Sequence, residues 1–390
     1  MRDELSELIL FRGLRASEDA GALVELAERY GFDGDLWRAY LAYALLRHEN
    51  PWSLACEGRE EPDGSLPALA ARDMERILQA YRSGPTLVPE LRDYRPAAKK
   101  SGAARVVDEL RARLDAAQTA SDAARGLADA YRRHGAGEFA LHRAFRLEAD
   151  GSLKSVPDET EPLSLLVGYE AQKAKLRANT EAFLAGRSAN NVLLYGDAGT
   201  GKSTCVRALL AEYPDSLLRI IELPKDRLTL LPRLADTLGA RRCRFLLFLD
   251  DLSFEEDETA YKQLKASIEG GLASLPENVR IYATSNRRHL IRETWKDRAD
   301  MEHDGDIHRS DTMEEKLSLS ARFGLRVYFP NPTFQEYHAI VEELAKRRGV
   351  DGAALRQAAA TWQVRQGSRS GRTAKQFVDD YLSGAEQAAP

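Results

Sequence analysis

Cysteine is scarce in this sequence. Three occur among 390 residues, Cys56, Cys205 and Cys243, and their spacing matches no metal-binding pattern. An odd, scattered set excludes a disulfide framework and favours a reducing compartment. We expect Cys205 to be a small packing residue rather than a redox sensor.

Long apolar runs are absent as well. No stretch approaches the ~18 apolar residues of a membrane-spanning helix. The first residues, Met1-Arg2-Asp3-Glu4, include acids that a secretion signal would lack. We therefore expect a cytoplasmic protein with no membrane partner.

Charge of either sign is not in large excess. The formal net charge is −5, and charged residues make up 30% of the chain against 43% hydrophobic ones. This balance gives no global attraction to nucleic acid and is typical of a soluble globular protein. The length is that of roughly two to three domains.

The sequence divides into three parts, which we predict to be domains. Residues 1–155 carry apolar residues at helical spacing and predict a mostly α-helical N-terminal domain whose role no motif reveals. Residues 156–332 alternate apolar runs with helical stretches. Residues 333–390 return to a helical pattern and predict a small C-terminal helical domain.

The middle part predicts the fold class. Its apolar runs are residues 191–195, 219–223, 244–249, 280–284 and 325–329. Near-continuous apolar strands separated by helices predict an α/β domain with a five-stranded parallel sheet, covered on both faces. A short hairpin is predicted between residues 137 and 153, where His142 is expected to be structural rather than a metal ligand.

A glycine-rich loop follows the first of these strands and precedes a helical segment, as a phosphate-binding loop requires. It consists of Gly196, Asp197, Ala198, Gly199, Thr200, Gly201, Lys202 and Ser203, with Thr204 next in the helix. The glycines let several backbone N–H groups face one phosphate, and the helix N-terminus adds partial positive charge. Lys202 is predicted to reach the β- and γ-phosphates of a nucleotide, and the Ser203 hydroxyl to bind Mg²⁺.

Acidic residues follow the third strand. Asp250 ends it and is predicted to hold Mg²⁺ opposite the loop. Asp251 comes next and Glu255 is the following acid, and one of the two should orient or deprotonate the attacking water. Asp251 is shorter than the glutamate commoner at this position, which allows slow hydrolysis, and its alternative role is to cap the next helix.

Three further polar residues complete the candidate set. Asn286 ends the fourth strand, where a neutral donor can contact the γ-phosphate and position water; an ordinary turn residue is the alternative. Arg322 precedes the fifth strand and Arg372 opens the final helix. A functional role for either arginine can be inferred only from the fold in which it is placed.

Together these motifs resemble an AAA+ ATPase module, over residues from about 162 to 382. Gly196–Ser203 is similar to Walker A, and Phe245–Asp251 is similar to Walker B. Residues 161–169 resemble the segment that lines the adenine pocket, which implies that Val167 and Gly168 contact the nucleotide.

The resemblance also assigns the polar residues. It implies that Asn286 is the first sensor, Arg322 the arginine finger, and Arg372 the second sensor in a C-terminal helical lid. Stretches 190–196, 250–255, 284–290 and 315–320 resemble more closely a bacterial family of predicted AAA+ ATPases of unknown function. ATP and Mg²⁺ are the implied cofactors, and a homo-oligomer is implied because such a finger acts on a neighbour's γ-phosphate.

Two functional hypotheses follow. The first is an ATPase that couples Mg²⁺-dependent hydrolysis to remodelling of an unidentified macromolecular partner. The second is an ATP-gated binding or loader module for protein or DNA, with slow or no hydrolysis. Residues 224–228 lack the aromatic-glycine loop of threading unfoldases, which argues against processive unfolding.

Two charged stretches remain. The arginines within residues 103–133 alternate with acids, which predicts a solvated, ion-paired helix face, with a nucleic-acid or partner surface as the alternative. The loop 297–311 contains His303, His308 and several aspartates. We expect a solvated acidic insertion there, and a second metal site is the alternative.

Overall fold

The computed structural model describes residues 7–14, 19–58, 62–84, 88–158, 160–252, 264–266, 268, 275–286, 320 and 322–387. Glu255 and the loop 297–311 lie outside these residues, so the sequence predictions made for them stay predictions. In the part that is described, no helix is long and apolar enough to cross a membrane.

Helices form the N-terminal part, as predicted. They are α1 (Ala20–Tyr30), α2 (Leu36–Arg47), α3 (Pro51–Cys56), α4 (Leu66–Ser83), α5 (Gly102–Ala116), α6 (Ala120–His134) and α7 (Glu138–Leu141). Their apolar faces share one core that extends in sequence from Leu8 to Leu141. Thr119 and Asp122 form a reciprocal capping box that fixes where α6 begins.

The proline and glycine content of residues 51–67 predicts a loop, but helix α3 occupies its first part. The Asn50 side chain accepts the N–H groups of Trp52 and Ser53, both at 2.9 Å, and Pro51 occupies the first helical position. The helix places Trp52 in the core against Phe11. A local cap and one buried aromatic residue thus form a helix where proline and glycine content indicated a loop.

Among the described residues, the central sheet has seven strands, which are the five predicted and two more. The five predicted strands are present as β3 (Val192–Gly196), β4 (Leu218–Glu222), β5 (Arg244–Leu249), β6 (Val279–Ser285) and β7 (Leu325–Phe329). Two more are β1 (Ala144–Leu147) and β2 (Leu153–Ser155). The order is β2-β1-β4-β5-β6-β3-β7, and every neighbouring pair is parallel except β1 with β2.

The extra strands come from the predicted hairpin. Ala144 pairs with Ile220 of β4, and Phe145 pairs with Ser155 in the antiparallel return. The hairpin therefore extends the edge of the α/β sheet, although it lies before residue 156. His142 packs against the rings of Tyr30 and Phe145, in keeping with a structural role.

Helices cover both faces of the sheet. They are α8 (Glu170–Leu184), α9 (Lys202–Glu212) and α10 (Leu231–Gly239). On β5, Phe245 and Leu247 face the α10 side, whereas Leu246 and Phe248 face the α8 and α9 side. Cys205 is fully buried on α9, and burial raises its pKa to about 12, as befits a packing residue.

The C-terminal residues form three helices, α11 (Phe334–Arg347), α12 (Arg356–Gln366) and α13 (Gly371–Gln387), which we call the lid. Thr333 and Glu336 form a capping box at the start of α11. Tyr337, Val341 and Phe377 are central to the small lid core, and Val167 packs against it from the sheet domain. The lid is thereby attached to the segment that precedes the glycine-rich loop.

Two arginines, Arg219 and Arg241, join the N-terminal helices to the sheet domain. Arg241 donates to both Glu57 carboxylate oxygens, at 3.0 and 2.6 Å, and to Glu49 at 2.7 Å. Arg219 of β4 donates to the carbonyls of His134 and Phe139 at 2.6 Å. The two parts therefore share a polar interface in addition to their apolar contacts.

Candidate functional site

The glycine-rich loop lies between β3 and α9, at the carboxyl edge of the sheet. Gly196 has φ +134°, and a Cβ there would come within 2.1 Å of the Phe329 carbonyl oxygen on the adjacent strand. Only glycine fits this approach, because the neighbouring atom belongs to the backbone. The Asp197 carboxylate accepts the N–H of Asn331 at 2.9 Å, which ties the loop to the chain after β7.

Lys202 is held inside the loop. Its side chain is buried, and Nζ donates to the carbonyls of Gly196 at 3.1 Å and Asp197 at 2.6 Å. Burial lowers the pKa of this ammonium group, although the acids around it favour the charged form. The lysine is thus placed beside the N-terminus of α9, where a phosphate group would meet several N–H donors.

Asp250 lies opposite this loop at the end of β5. Its Oδ1 accepts hydrogen bonds from the hydroxyls of Ser203 and Thr284, the latter at 2.6 Å. Its Oδ2 lies 3.4 Å from a guanidinium nitrogen of Arg207. A hydroxyl and a carboxylate side by side supply the oxygen ligands that Mg²⁺ takes from proteins.

Asp251 adopts an uncommon backbone conformation. Its φ is +52°, in the left-handed region that aspartate tolerates better than most residues. Its N–H donates to the Thr284 hydroxyl at 2.9 Å, and its Oδ1 accepts from the Asn286 amide at 2.7 Å. The second acid and the predicted first sensor are therefore in direct contact.

Residues 161–169, the segment expected to line the adenine pocket, are held by contacts with both the sheet domain and the lid. The carbonyl of Leu166 accepts from buried Lys173 of α8, and the carbonyl of Leu165 accepts from Arg347 of the lid at 2.7 Å. Tyr169 has φ +60° and donates its hydroxyl to the Pro330 carbonyl at 2.9 Å. Core and lid together hold this segment in place.

Arg372 connects the lid to the glycine-rich loop. Its backbone N–H donates to the Gly199 carbonyl at 3.2 Å, and its side chain lines the same cleft as Lys202 and Asp250. Lys375, one turn further along α13, also lines it. Positive charge from the lid thus faces the glycine-rich loop.

The cleft encloses about 650 Å³, within the ~300–1,000 Å³ usual for small-molecule sites. Twelve predicted site residues line it: Val167, Ala198, Gly199, Thr200, Gly201, Lys202, Ser203, Thr204, Asp250, Asp251, Asn286 and Arg372. Gly168, Gly196 and Asp197 do not line it; Gly168 and Asp197 adjoin lining residues in sequence, and the Gly196 carbonyl accepts a hydrogen bond from Lys202. Thr284, Arg207, Arg347 and Lys375 line it without having been predicted.

Arg322 lies at the amino end of the strands, opposite the carboxyl end where the glycine-rich loop lies. It precedes the amino end of β7, where Leu325 pairs with Val192, whereas Gly196 at the start of the loop pairs with Phe329. Five strand residues span about 16 Å, so the sheet separates Arg322 from the cleft of its own chain.

The residues of the cleft fit a magnesium–nucleoside triphosphate. The loop offers backbone donors and Lys202 for phosphates, while Ser203 and Asp250 offer oxygen ligands for the cation. Elsewhere, the described residues include no group of three or more histidine, cysteine or acidic side chains that could hold a metal.

Five of the six arginines of α5 and α6 form ion pairs with acids, namely Arg111, Arg113, Arg125, Arg132 and Arg133. Arg111 contacts Asp108 at 3.0 Å, and Arg113 contacts Glu109 at 3.2 Å. Both pairs lie within α5, as the alternating charges of the sequence predicted. This face is therefore an ion-paired helix surface.

One protein family and several solved structures are similar to parts of this chain. A family profile described as "Protein of unknown function (DUF815)" matches residues 140–385. Among solved structures, the Thermotoga maritima RuvB Holliday junction branch migration motor is similar over 57% of this chain and 72% of that chain, with 17% identity and a TM-score of 0.34.

Two single-residue variants of Thermotoga maritima RuvB match over the same shares of each chain. One has 17% identity and a TM-score of 0.34, and the other has 16% and 0.33. No curated protein matches the sequence. The family profile spans the sheet, the cleft and the lid, and it confirms the resemblance to a family of unknown function that the sequence indicated.

Proposed function

The chain belongs to the family described as "Protein of unknown function (DUF815)", and from its cleft we propose that it is a magnesium-dependent AAA+ ATPase. In this proposal, ATP hydrolysis is coupled to the remodelling of a macromolecular partner. The three free, buried cysteines are in keeping with a reducing cytoplasm as its location.

One observation carries the proposal: the Ser203 hydroxyl and the Asp250 carboxylate are hydrogen-bonded at the mouth of a loop that contains a buried lysine. These two groups would hold Mg²⁺, and Lys202 would contact the phosphates. When bound, Mg²⁺ neutralises charge on the β- and γ-phosphate oxygens. Val167 and its neighbours, fixed by Lys173 and Arg347, would form the wall of the base pocket.

We assign the remaining polar groups the roles expected from the sequence. Asp251, or Glu255 from outside the described residues, would orient or deprotonate the attacking water. Asn286 would position the same water through its contact with Asp251. Arg372, attached through its backbone to Gly199, would report the state of the phosphates to the lid.

Arg322 supports a homo-oligomer. Within one chain the sheet separates it from the cleft, so Arg322 could stabilise γ-phosphate charge only at the site of a neighbouring subunit. The sites would then be shared between subunits, and specific activity would depend on protein concentration.

The contact between Asn286 and Asp251 favours a second function. At 2.7 Å, the asparagine amide occupies a carboxylate oxygen that a water would need, which suits slow hydrolysis. The chain would then be an ATP-gated binding module for protein or DNA. The ion-paired arginines of α5 and α6 favour a protein partner over nucleic acid.

A steady-state ATPase assay across protein concentration tests the proposal, with Lys202→Ala as the blank. We expect specific activity to rise with concentration until the oligomer saturates. Magnesium-dependent ATP binding without such turnover would support the gated module. A wild-type protein that neither binds nor hydrolyses ATP above the blank would refute both functions.

A further inference from the structure

Thr284 stands between the two acids of the cleft. We infer that it is a positioning residue for both, an inference that rests on the proposed ATPase function. It belongs to β6, pairs with Leu194 of β3, and is 2% exposed. Its buried hydroxyl lies at the cleft, whereas its neighbours Tyr282 and Ala283 are core residues.

The direction of each Thr284 hydrogen bond follows from which of the two bonded atoms carries a hydrogen. The Asp251 N–H can only donate, so the Thr284 oxygen accepts that bond at 2.9 Å. The Thr284 proton is then directed to Asp250 Oδ1 at 2.6 Å. One hydroxyl therefore connects the backbone of one acid with the carboxylate of the other.

This arrangement sets the orientation of the cation ligands. Asp250 Oδ1 accepts hydrogen bonds from two hydroxyls, those of Thr284 and Ser203, which orient the carboxylate. Because the Ser203 hydroxyl is the donor of its hydrogen bond to Asp250, the lone pairs of the Ser203 oxygen stay available for a cation. Loss of the Thr284 hydroxyl removes one of the two hydrogen bonds to Oδ1 and leaves the Ser203 hydroxyl and the Arg207 contact with Oδ2 at 3.4 Å.

The same residue stabilises the turn after β5. Asp251 has φ +52°, and the next residue, Leu252, donates its N–H to the Thr284 carbonyl at 2.6 Å. Asn286, directly after β6, holds the Asp251 side chain. The end of β6 therefore holds the second acid at its backbone and at its carboxylate.

The test compares Thr284→Val, which keeps the shape without the hydroxyl, with Thr284→Ser, which keeps the hydroxyl. For Thr284→Val we expect kcat to fall about 10- to 100-fold while KM for ATP stays within about threefold, because the lost bonds orient groups rather than bind substrate. Thr284→Ser should retain kcat within about threefold. The Mg²⁺ concentration for half-maximal activity should rise only in the valine variant.

A second readout does not depend on turnover. The affinity for a fluorescent ATP analogue is measured with Mg²⁺ and with EDTA. We expect Thr284→Val to keep the wild-type affinity in EDTA and to lose most of the gain that Mg²⁺ provides. This measurement tests Thr284 even if the wild-type protein binds ATP without hydrolysing it.

Thr180→Val is the matched control. Thr180 is buried, and its hydroxyl bonds to the Leu176 carbonyl at 2.8 Å and lies 2.9 Å from the Tyr282 hydroxyl, outside the cleft. It reports what the loss of a buried threonine hydroxyl does to the fold alone. The inference is overturned if Thr284→Val behaves like Thr180→Val, or if Thr284→Ser is as impaired as Thr284→Val. A wild-type protein that binds no ATP would overturn the proposed function, and this inference with it.

Discussion

Gly199 of the glycine-rich loop and Ser370 of the lid are in close contact. A Cβ on Gly199 would lie 2.8 Å from Ser370 Oγ, and the glycine has φ +76°. Its carbonyl accepts the Arg372 N–H. The lid therefore rests on the loop at a point where no side chain fits, and a change there should alter the lid without unfolding the sheet domain.

We expect Gly199→Ala to weaken ATP binding roughly tenfold, about 1.4 kcal/mol, because the methyl group displaces Ser370 and the start of α13. The matched control is Gly349→Ala. Gly349 has φ +77° and no atom within 4 Å of its added Cβ, so it incurs the same backbone strain without the clash. Equilibrium binding of a fluorescent nucleotide distinguishes the two variants. Equal affinities in both would show that the contact between lid and loop does not affect the site.

Asp251 provides a second prediction. Glutamate is commoner at this position, yet we expect Asp251→Glu to lower kcat about tenfold, since a longer side chain in a left-handed residue moves the carboxylate away from Asn286. Asp251→Asn keeps the shape and tolerates the backbone, so it isolates the charge; we expect kcat to fall about 100-fold. Single-turnover and steady-state rates measure both. A glutamate variant faster than wild type would contradict the prediction.

Local patterns were sufficient to predict most of the sheet. The five strands β3 to β7 are apolar runs bounded by polar residues, so their positions follow from the sequence alone. The strands β1 and β2 could be seen as a hairpin, but their place in the sheet depends on a partner more than 70 residues away, Ile220 for Ala144. Pairing between strands so far apart in the chain leaves no pattern in the sequence of either strand.

The candidate site also contains residues that the sequence predicted and residues that it did not. Motif spacing predicted the loop, Asp250 and Asn286, because the carboxyl ends of parallel strands meet at one edge. Thr284 was missed since a threonine inside an apolar strand has the pattern of a core residue. The polar run Thr284-Ser285-Asn286 at the strand end was the available signal. The left-handed turn at Asp251 depends on that hydroxyl and could not be inferred from its own sequence position.

Arg322 leads to a mixing experiment. We expect Lys202→Ala and Arg322→Ala each to be nearly inactive, because one lacks a phosphate contact and the other lacks the arginine for its neighbour. Mixed in equal amounts, they should recover activity, since a Lys202→Ala subunit can supply Arg322 to an intact loop next to it. Specific activity is measured across mixing ratios. A mixture no more active than the sum of its parts would contradict a shared site.

Glu57 provides the last prediction, on the interface between the N-terminal helices and the sheet domain. Its side chain is 3% exposed and accepts from Arg241 and from the Ala136 N–H at 2.6 Å. Glu57→Ala leaves the Arg241 guanidinium buried without this partner, which should destabilise the protein by about 3–5 kcal/mol. The change is measured as a shift of the denaturant midpoint.

The other carboxylate on Arg241 is the matched control. Glu49 contacts the same guanidinium at 2.7 Å, but its side chain is 44% exposed. Glu49→Ala should therefore cost no more than about 1 kcal/mol, since solvent screens the lost pair. If the two variants unfold at the same denaturant concentration, burial does not determine the strength of this interface. If only Glu57→Ala unfolds earlier and ATP binding is lost in the same transition, the N-terminal helices and the sheet domain unfold as one cooperative unit.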